Sequence, residues 1–181
     1  MKFRTSIPLL AAGLLAVAGL SFARPQSATN SAPGKESLLT AAEVGNKLLP
    51  EKVFFHGHVA TVQDRNTGGV RYADGFLVFA GLVDSSGYST AMKEKYQAYF
   101  INEVPVEIGG QTLKPGAYGI GFLEGNKFVV MDIGANDVLQ AGSTKDTEMK
   151  RPVPLQFTGR SGTGDYRLYR GRDYVEFHRA K

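Results

Sequence analysis

Residues 104–133 read VPVEIGGQTLKPGAYGIGFLEGNKFVVMDI, and strand patterns alternate here with turn signals with almost no slack. Val104, Val106 and Ile108 alternate with Pro105 and Glu107, the period-2 pattern of a strand with one buried face. Pro105 has no N–H to give a ladder, so this strand lies at an edge or joins its sheet only after the proline. Gly109-Gly110 supplies two positions able to take positive φ, as a two-residue hairpin loop requires. Lys114-Pro115-Gly116 predicts a type II turn, with proline presetting the first central φ and glycine tolerating the second.

The next strand runs from Ala117 to Glu124. Tyr118, Ile120 and Phe122 point one way, and Ala117, Gly119 and Gly121 the other. A strip of nearly bare backbone admits a close neighbour: a ligand, a large aromatic ring or a packed helix. Tyr118, Gly119 and Gly121 are therefore candidate ligand-binding residues, with core packing as the competing reading. After a Gly125-Asn126 turn, residues 127–133 carry Phe128 and Val130 on one face and Val129, Met131 and Ile133 on the other. Apolar residues on both faces predict a central strand.

The pattern Glu103-Val104, Ile108-Gly109-Gly110, Leu113, Pro115-Gly116 and Tyr118, followed by a two-residue turn and an apolar strand, resembles a family of uncharacterised secreted bacterial β-domain proteins. These share an L-x-x-G-x-Y hairpin. The resemblance rests mostly on turn residues and implies no activity and no catalytic residues.

The chain has 181 residues, 43% hydrophobic and 10% aromatic, with 22 glycines, enough for one domain with a real core. Strand signals outnumber helix signals throughout. The expected fold is all-β: an antiparallel sandwich or small barrel of about 8–9 strands with one short N-terminal helix, a class that period-2 runs between turn clusters define. There is no cysteine, which removes disulfides, thiol nucleophiles, Fe–S clusters and zinc–thiolate sites. No tryptophan is available to stack on sugars, although eight tyrosines are.

Residues 1–23 read as a secretory signal peptide: Lys2 and Arg4, an apolar run from Ile7 to Leu20, then Ser21-Phe22-Ala23 as a cleavage site. The alternative is an uncleaved anchor, but the apolar run is about 14 residues, short of the ~20 that span a bilayer. The expected location is the periplasm or the cell exterior, with no membrane span after cleavage. Residues 24–36 are small, polar and proline-containing, a disordered linker, and residues 37–181 form the single β domain. Without Lys2 and Arg4 the charge is 19 − 17 = +2. Residues 150–181 carry eight basic and three acidic residues, +5, while residues 24–149 carry eleven and fourteen, −3.

Thr40-Ala41-Ala42-Glu43 is a capping box. It opens a helix with Val44, Leu48 and Leu49 on one side, ended by Pro50. At about nine residues this helix is too short to persist unless it docks on the sheet. Residues 53–63, VFFHGHVATVQ, predict one strand, on which His56 and His58 share a face. Two histidines so placed open a metal site, as in the cupin H-x-H motif, with His178 or an aspartate as a third ligand; the competing reading is a pair of half-exposed histidines. The expected cupin glutamate is absent, since Ala60, Thr61, Val62 and Gln63 follow. Residues 64–69 predict a turn, and Asp74-Gly75 a second one. Asp84-Ser85-Ser86-Gly87 lacks the strand–turn–helix elbow of a hydrolase serine and predicts a turn. Residues 89–95 fit one helical turn, and residues 140–150 a polar mobile loop.

The last two strands, Asp165–Arg170 and Asp173–Arg179, place Leu168, Val175 and Phe177 inward. Arg167, Tyr169, Tyr174, Glu176 and His178 then point outward. Arginine offers bidentate recognition and tyrosine a stacking face, so Arg167, Tyr169 and Tyr174 are candidate binding residues for an anionic envelope component or a protein partner. The competing reading pairs the arginines with Asp165, Asp173 and Glu176. No nucleic-acid motif is present. Three functions remain: an exported, non-catalytic binding or envelope-associated protein; a structural or adhesion module; and a metal-dependent, cupin-like enzyme using His56 and His58. No cofactor is expected.

Overall fold

The computed structural model describes residues 34–159 and 164–181. The expected signal peptide and linker residues 24–33 lie outside the described residues. In chain order the elements are β1 (Ser37–Leu39), α1 (Ala41–Val44), β2 (Lys52–Phe55), β3 (His58–Arg71), β4 (Leu77–Asp84), α2 (Thr90–Lys95), β5 (Ala98–Asn102), β6 (Val106–Ile108), β7 (Gln111–Leu113), β8 (Gly116–Leu123), β9 (Lys127–Met131), β10 (Asp137–Gly142), β11 (Thr144–Lys145), β12 (Gln156–Gly159), β13 (Asp165–Arg170) and β14 (Asp173–Arg179).

All pairings are antiparallel, and the strands sort into two sheets that form a sandwich and not a closed barrel. The first sheet runs β1-β3-β4-β5-β8-β9-β10, with β2 also on β3; the second runs β12-β13-β14-β6-β7, with β11 also on β14. The alternation expected of β8, β9, β13 and β14 is what fills the space between them. Phe100, Ile120, Phe128 and Val130 from the first sheet meet Val106, Ile108, Leu168, Val175 and Phe177 from the second. There are more strands than the expected eight or nine because β1, β7 and β11 are only two or three residues long, too short to carry a readable period.

The 104–133 stretch is not one meander. β6 and β7 form a hairpin in the second sheet, and β8 and β9 a hairpin in the first. Gly109 and Gly110 take φ of +58° and +76°, the turn expected. Gly116 instead begins β8 outside the positive-φ set, so Lys114-Pro115 is a crossover between sheets and not a type II turn. Pro105 precedes β6, which then lies between β14 and β7, so of the two readings it is late entry, not edge position, that accommodates the proline. β9 is central, with both faces buried.

One side chain holds both crossovers. Asn102, at the end of β5 and 1% exposed, occupies the inward position after Ala98 and Phe100. Its Nδ2 donates to the carbonyls of Val104 and Lys114, each at 2.9 Å, and more weakly to Leu113 at 3.4 Å. The first carbonyl lies where the chain leaves the first sheet for β6, and the other two where it returns from β7. These backbone groups leave one ladder before entering the next, so they need a partner other than a strand neighbour.

Three local expectations change. The 53–63 strand is a hairpin: Phe55 ends β2, His58 begins β3, and His56-Gly57 is the turn, with φ of +46° and +80°. Residues 64–69 belong to β3, which absorbs them in a bulge against β4; Val62 pairs with Val83 but Thr67 pairs with Gly81. The Thr67 hydroxyl donates to Asp64 O at 2.9 Å, closing the bulge locally. The first helix is a single turn. Its capping box forms, with the Thr40 N–H and hydroxyl both donating to Glu43 Oε2 at 2.8 and 2.7 Å. Gly45 then turns extended (ψ 143°) and Asn46 takes φ of +48°, which stops the helix well before Pro50. Residues 34–36 are docked, not free: the Gly34 N–H donates to Ala73 O, and Glu36 accepts the Tyr166 hydroxyl at 2.9 Å.

Replacing Asn102 by alanine removes the side-chain donor to Val104 O and leaves Lys114 O with the Tyr118 hydroxyl alone, so a loss of about 1–3 kcal/mol in urea unfolding is expected, with an unchanged slope. Asn102→Asp presents oxygen where a donor is needed and costs more.

Candidate functional site

The first sheet's outer face is covered by the chain itself. Leu49, Val53, Phe55, Tyr88 and Tyr96 pack over Phe79, Val129 and Met131 as a second core. This is where the glycine strip lies. A Cβ at Gly119 falls 2.5 Å from Phe55 Cζ and 2.9 Å from Tyr96 Cδ2, and one at Gly121 falls 2.1 Å from Lys95 O. Phe55 and Tyr96 stack with centroids 3.9 Å apart and planes at 16°. The strip therefore seats an aromatic pair and the end of α2, the packing reading of those glycines, and leaves no space for a ligand at Gly119 and Gly121. Tyr118 faces the opposite side, half-buried, and its hydroxyl donates to Lys114 O at 2.9 Å.

The histidines do not converge. His56 sits in the β2–β3 turn with Nδ1 3.0 Å from Gly134 O. The His58 ring meets the edge of Tyr88 at 5.3 Å. His178 is on β14 in the other sheet, with Nε2 3.7 Å from Glu107 Oε2. The shared-face rule applies within a strand, and a turn at His56-Gly57 voids it. Among the described residues no group of three or more His, Asp or Glu side chains is placed to hold a metal ion.

The second sheet's outer face is different. Cross-strand register lines up Thr158, Arg167 and Glu176 in one row, and Asp165, His178 and Glu107 in the next. These residues line a concavity of about 880 Å³. The Arg167 Nη2 lies 2.8 Å from Glu176 Oε1, and its Cζ is 4.5 Å above the Tyr174 ring. Hydrogen bonding to Tyr169 and then to Glu176 raises the Arg167 pKa still further above its ordinary value. Tyr169 and Tyr174 pack at 4.9 Å. Tyr169 points to the expected side but is only 3% exposed. Residues 140–150, expected to be a mobile loop, instead supply the end of β10, then β11, and Asp146, whose Oδ2 accepts the Tyr169 hydroxyl at 3.1 Å. Burial raises the Tyr169 pKa.

A second recess, of about 540 Å³, abuts the first and shares Asp165 and His178 with it. Tyr72, Asp74 and Arg179 line its far side. The Arg179 guanidinium lies 5.5 Å from the Tyr72 ring centroid and bonds Asp74. That hydrogen bond holds the Asp74 carboxyl below its usual range. Tyr72 is 2% exposed, and among the described residues its hydroxyl has no hydrogen-bond partner. Burial pushes its pKa up to about 12.

Arg167 and Tyr174 are thus brought together as the sequence suggests. Glu107 was missed as a member of this face. The outward parity of β6 is legible, but the β14–β6 pairing that carries Glu107 to His178 leaves no mark in either strand's sequence.

Two outcomes follow from this geometry. Gly121→Ala drives a methyl into backbone, so a loss of at least about 1–3 kcal/mol in denaturant unfolding is expected, as for an overpacked core. Tyr72→Phe removes an unpartnered hydroxyl and is neutral or mildly stabilising at pH 7. A tyrosine whose folded pKa is raised keeps its stability below the unfolded value near 10 and loses it as pH rises toward 12; melts across pH 9–12 therefore fall less steeply for Tyr72→Phe than for the parent. Set against family models, curated proteins and solved structures, the chain matches none of them.

Proposed function

We propose that this chain is an exported, non-catalytic binding protein that works through the open outer face of its second sheet. The observation that carries the reading is the asymmetry of the sandwich. One outer face is sealed by the chain's own aromatics, helices and hairpin. The other leaves Arg167, Glu176, His178, Glu107 and Thr158 lining a concavity. Polar groups converging in a concave surface are the usual mark of a binding site. Export is supported by the signal-type pattern of residues 1–23.

A second reading, a structural or adhesion module acting through protein contacts, is favoured by one observation. Phe54 and Val59 pair directly across the β2–β3 hairpin and are 58% and 61% exposed, an apolar pair of the kind that marks contact surfaces when it is part of a larger patch.

Native mass spectrometry of the full chain recovered from its own cells separates the readings. Binding at the second sheet predicts a retained organic adduct that disappears in Arg167→Ala/Glu176→Ala. A stoichiometric metal, or an adduct indifferent to that double variant, contradicts it. A bare dimer broken by Phe54→Ser favours the contact module.

A further inference from the structure

We propose that two copies of this chain pair edge to edge through β2 (Lys52–Phe55), in one antiparallel register that sets Lys52 of each copy opposite Phe54 of the other. This deepens the contact reading of the β2–β3 hairpin by naming its partner, and it is independent of the binding face on the second sheet. Among the described residues β2 has β3 as its one ladder partner, which leaves its second edge without a strand. The far edge of the same sheet, β10, is instead met by the β6–β7 hairpin, where Gln111 Nε2 donates to Gln140 O at 2.7 Å. Edge strands are ordinarily blunted by charge, proline or a bulge. Here Pro50 and Lys52 guard only the start, and Val53-Phe54-Phe55 follows with high strand propensity and no charge. Phe54 is 58% exposed and Val59, opposite it on β3, is 61% exposed. Ile133, whose carbonyl accepts the His56 N–H at 2.8 Å, adds a third exposed apolar residue at this edge.

Backbone parity selects the register. In an antiparallel ladder, alternate residues turn both N–H and C=O toward a given neighbouring strand. The Val62 N–H donates to Glu51 O at 2.8 Å, directly beyond the Lys52–Thr61 pair, so Glu51, Val53 and Phe55 face β3. Lys52 and Phe54 then direct their N–H and C=O away from β3, and the His56 N–H follows the same parity to Ile133 O. When Lys52 opposes the partner's Phe54, and Phe54 the partner's Lys52, each opposed pair exchanges both of its backbone hydrogen bonds about a two-fold axis at Val53. A shift of one pair in either direction fails. Opposing Lys52 to the partner's Lys52 sets like charges directly across from each other and puts Phe54 opposite the partner's Pro50, which has no N–H to give. Opposing Phe54 to the partner's Phe54 puts Lys52 opposite the partner's His56, whose N–H is already bonded to Ile133 O. In the remaining register each Lys52 lies across the partner's Phe54 ring, a cation–π pair, and the two Phe54 side chains become diagonal neighbours within reach of one another. Any extended strand offers backbone groups, but the alternation of one lysine with one phenylalanine is matched by itself, which singles out a second copy. The two-fold consumes both edges at once, so the product is a closed dimer and not a fibre.

The test is sedimentation velocity of the full chain from about 1 μM to 1 mM, a span suited to a small interface, joined to cysteine cross-linking. The chain has no cysteine, so introduced thiols report one contact. The inference expects a concentration-dependent equilibrium between monomer and dimer. Lys52→Pro removes an N–H that β3 does not use and keeps the Phe54 ring, so it weakens the dimer by about tenfold or more with the melt unchanged. Under mild oxidation, Lys52→Cys chains mixed with Phe54→Cys chains give more disulfide dimer than either variant alone, since the opposed Cα atoms lie about 5.5 Å apart. That readout stands even where Lys52→Pro fails to fold. A dimer weakened by Phe54→Ser but indifferent to a folded Lys52→Pro overturns the strand pairing and leaves the contact reading standing. Either cysteine variant cross-linking as well alone as in the mixture overturns the register, and the proposal with it. A dimer that neither Phe54→Ser nor Lys52→Pro alters is held together elsewhere and overturns both the pairing and the contact reading. A chain that stays monomeric across the whole range overturns the pairing.

Discussion

Asn102 places a carboxamide where the alternation of β5 calls for an apolar side chain, and the division of the chain into two sheets runs through it. The chain leaves the first sheet just after this residue and re-enters it at Gly116, its ladder partner on β8. Between those points lies the β6–β7 hairpin, which belongs to the other sheet. The carbonyls at both crossings leave one ladder without joining another, and the Asn102 amide supplies their donor. A buried polar group is costly unless it is bonded. Here its amide N–H groups answer acceptors at both crossings, so an apolar residue of the same size would take the side-chain donor from Val104 O and leave Lys114 O with the Tyr118 hydroxyl alone.

That division decides which surfaces are free. The first sheet is flanked by the segments that precede and interrupt its strands: the α1 turn, the β2–β3 hairpin and α2. They have nowhere to bury Leu49, Phe55, Tyr88 and Tyr96 except against its outer face. Glycines at 81, 119 and 121 make the space. Each lies within about 3 Å of an atom from the covering layer at the position its Cβ would take. The second sheet is built from the β6–β7 hairpin and the strands from β11 onward. Among the described residues, β11 pairs with the start of β14 and Asp146 bonds the Tyr169 hydroxyl, while Arg167, Glu176 and His178 stay exposed. One outer face of the sandwich is packed under the chain, and the other leaves these side chains exposed.

The fold class was legible because alternation is a local property. The inward sets of β8, β9, β13 and β14 are those their sequences indicate, and Gly109-Gly110 turns as two adjacent glycines should. What failed were inferences across a break in backbone geometry. His56 and His58 share a face only if the strand is continuous, and a positive φ at His56 ends it. Residues 64–69 look like a turn because they are polar and glycine-rich, yet a bulge lets β3 pass straight through them. Lys114-Pro115-Gly116 has the composition of a type II turn but serves as a crossover, which tertiary context decides. For the site, the sequence carried the Arg167–Tyr174 hairpin and its acidic neighbours. It did not carry Glu107, which arrives by a pairing between strands some seventy positions apart, a register that no local pattern encodes.

The central claim is that one outer face is closed by the chain itself and the other is open. Hydroxyl-radical footprinting of the unliganded full chain, read residue by residue by mass spectrometry, tests it without knowledge of the ligand. The account predicts rapid oxidation at His178 and Tyr174 and strong protection of Phe55 and Tyr96, although all four are intrinsically reactive rings. Oxidation of Phe55 and Tyr96 at rates comparable to His178 would contradict it, because the first sheet would then be the accessible one.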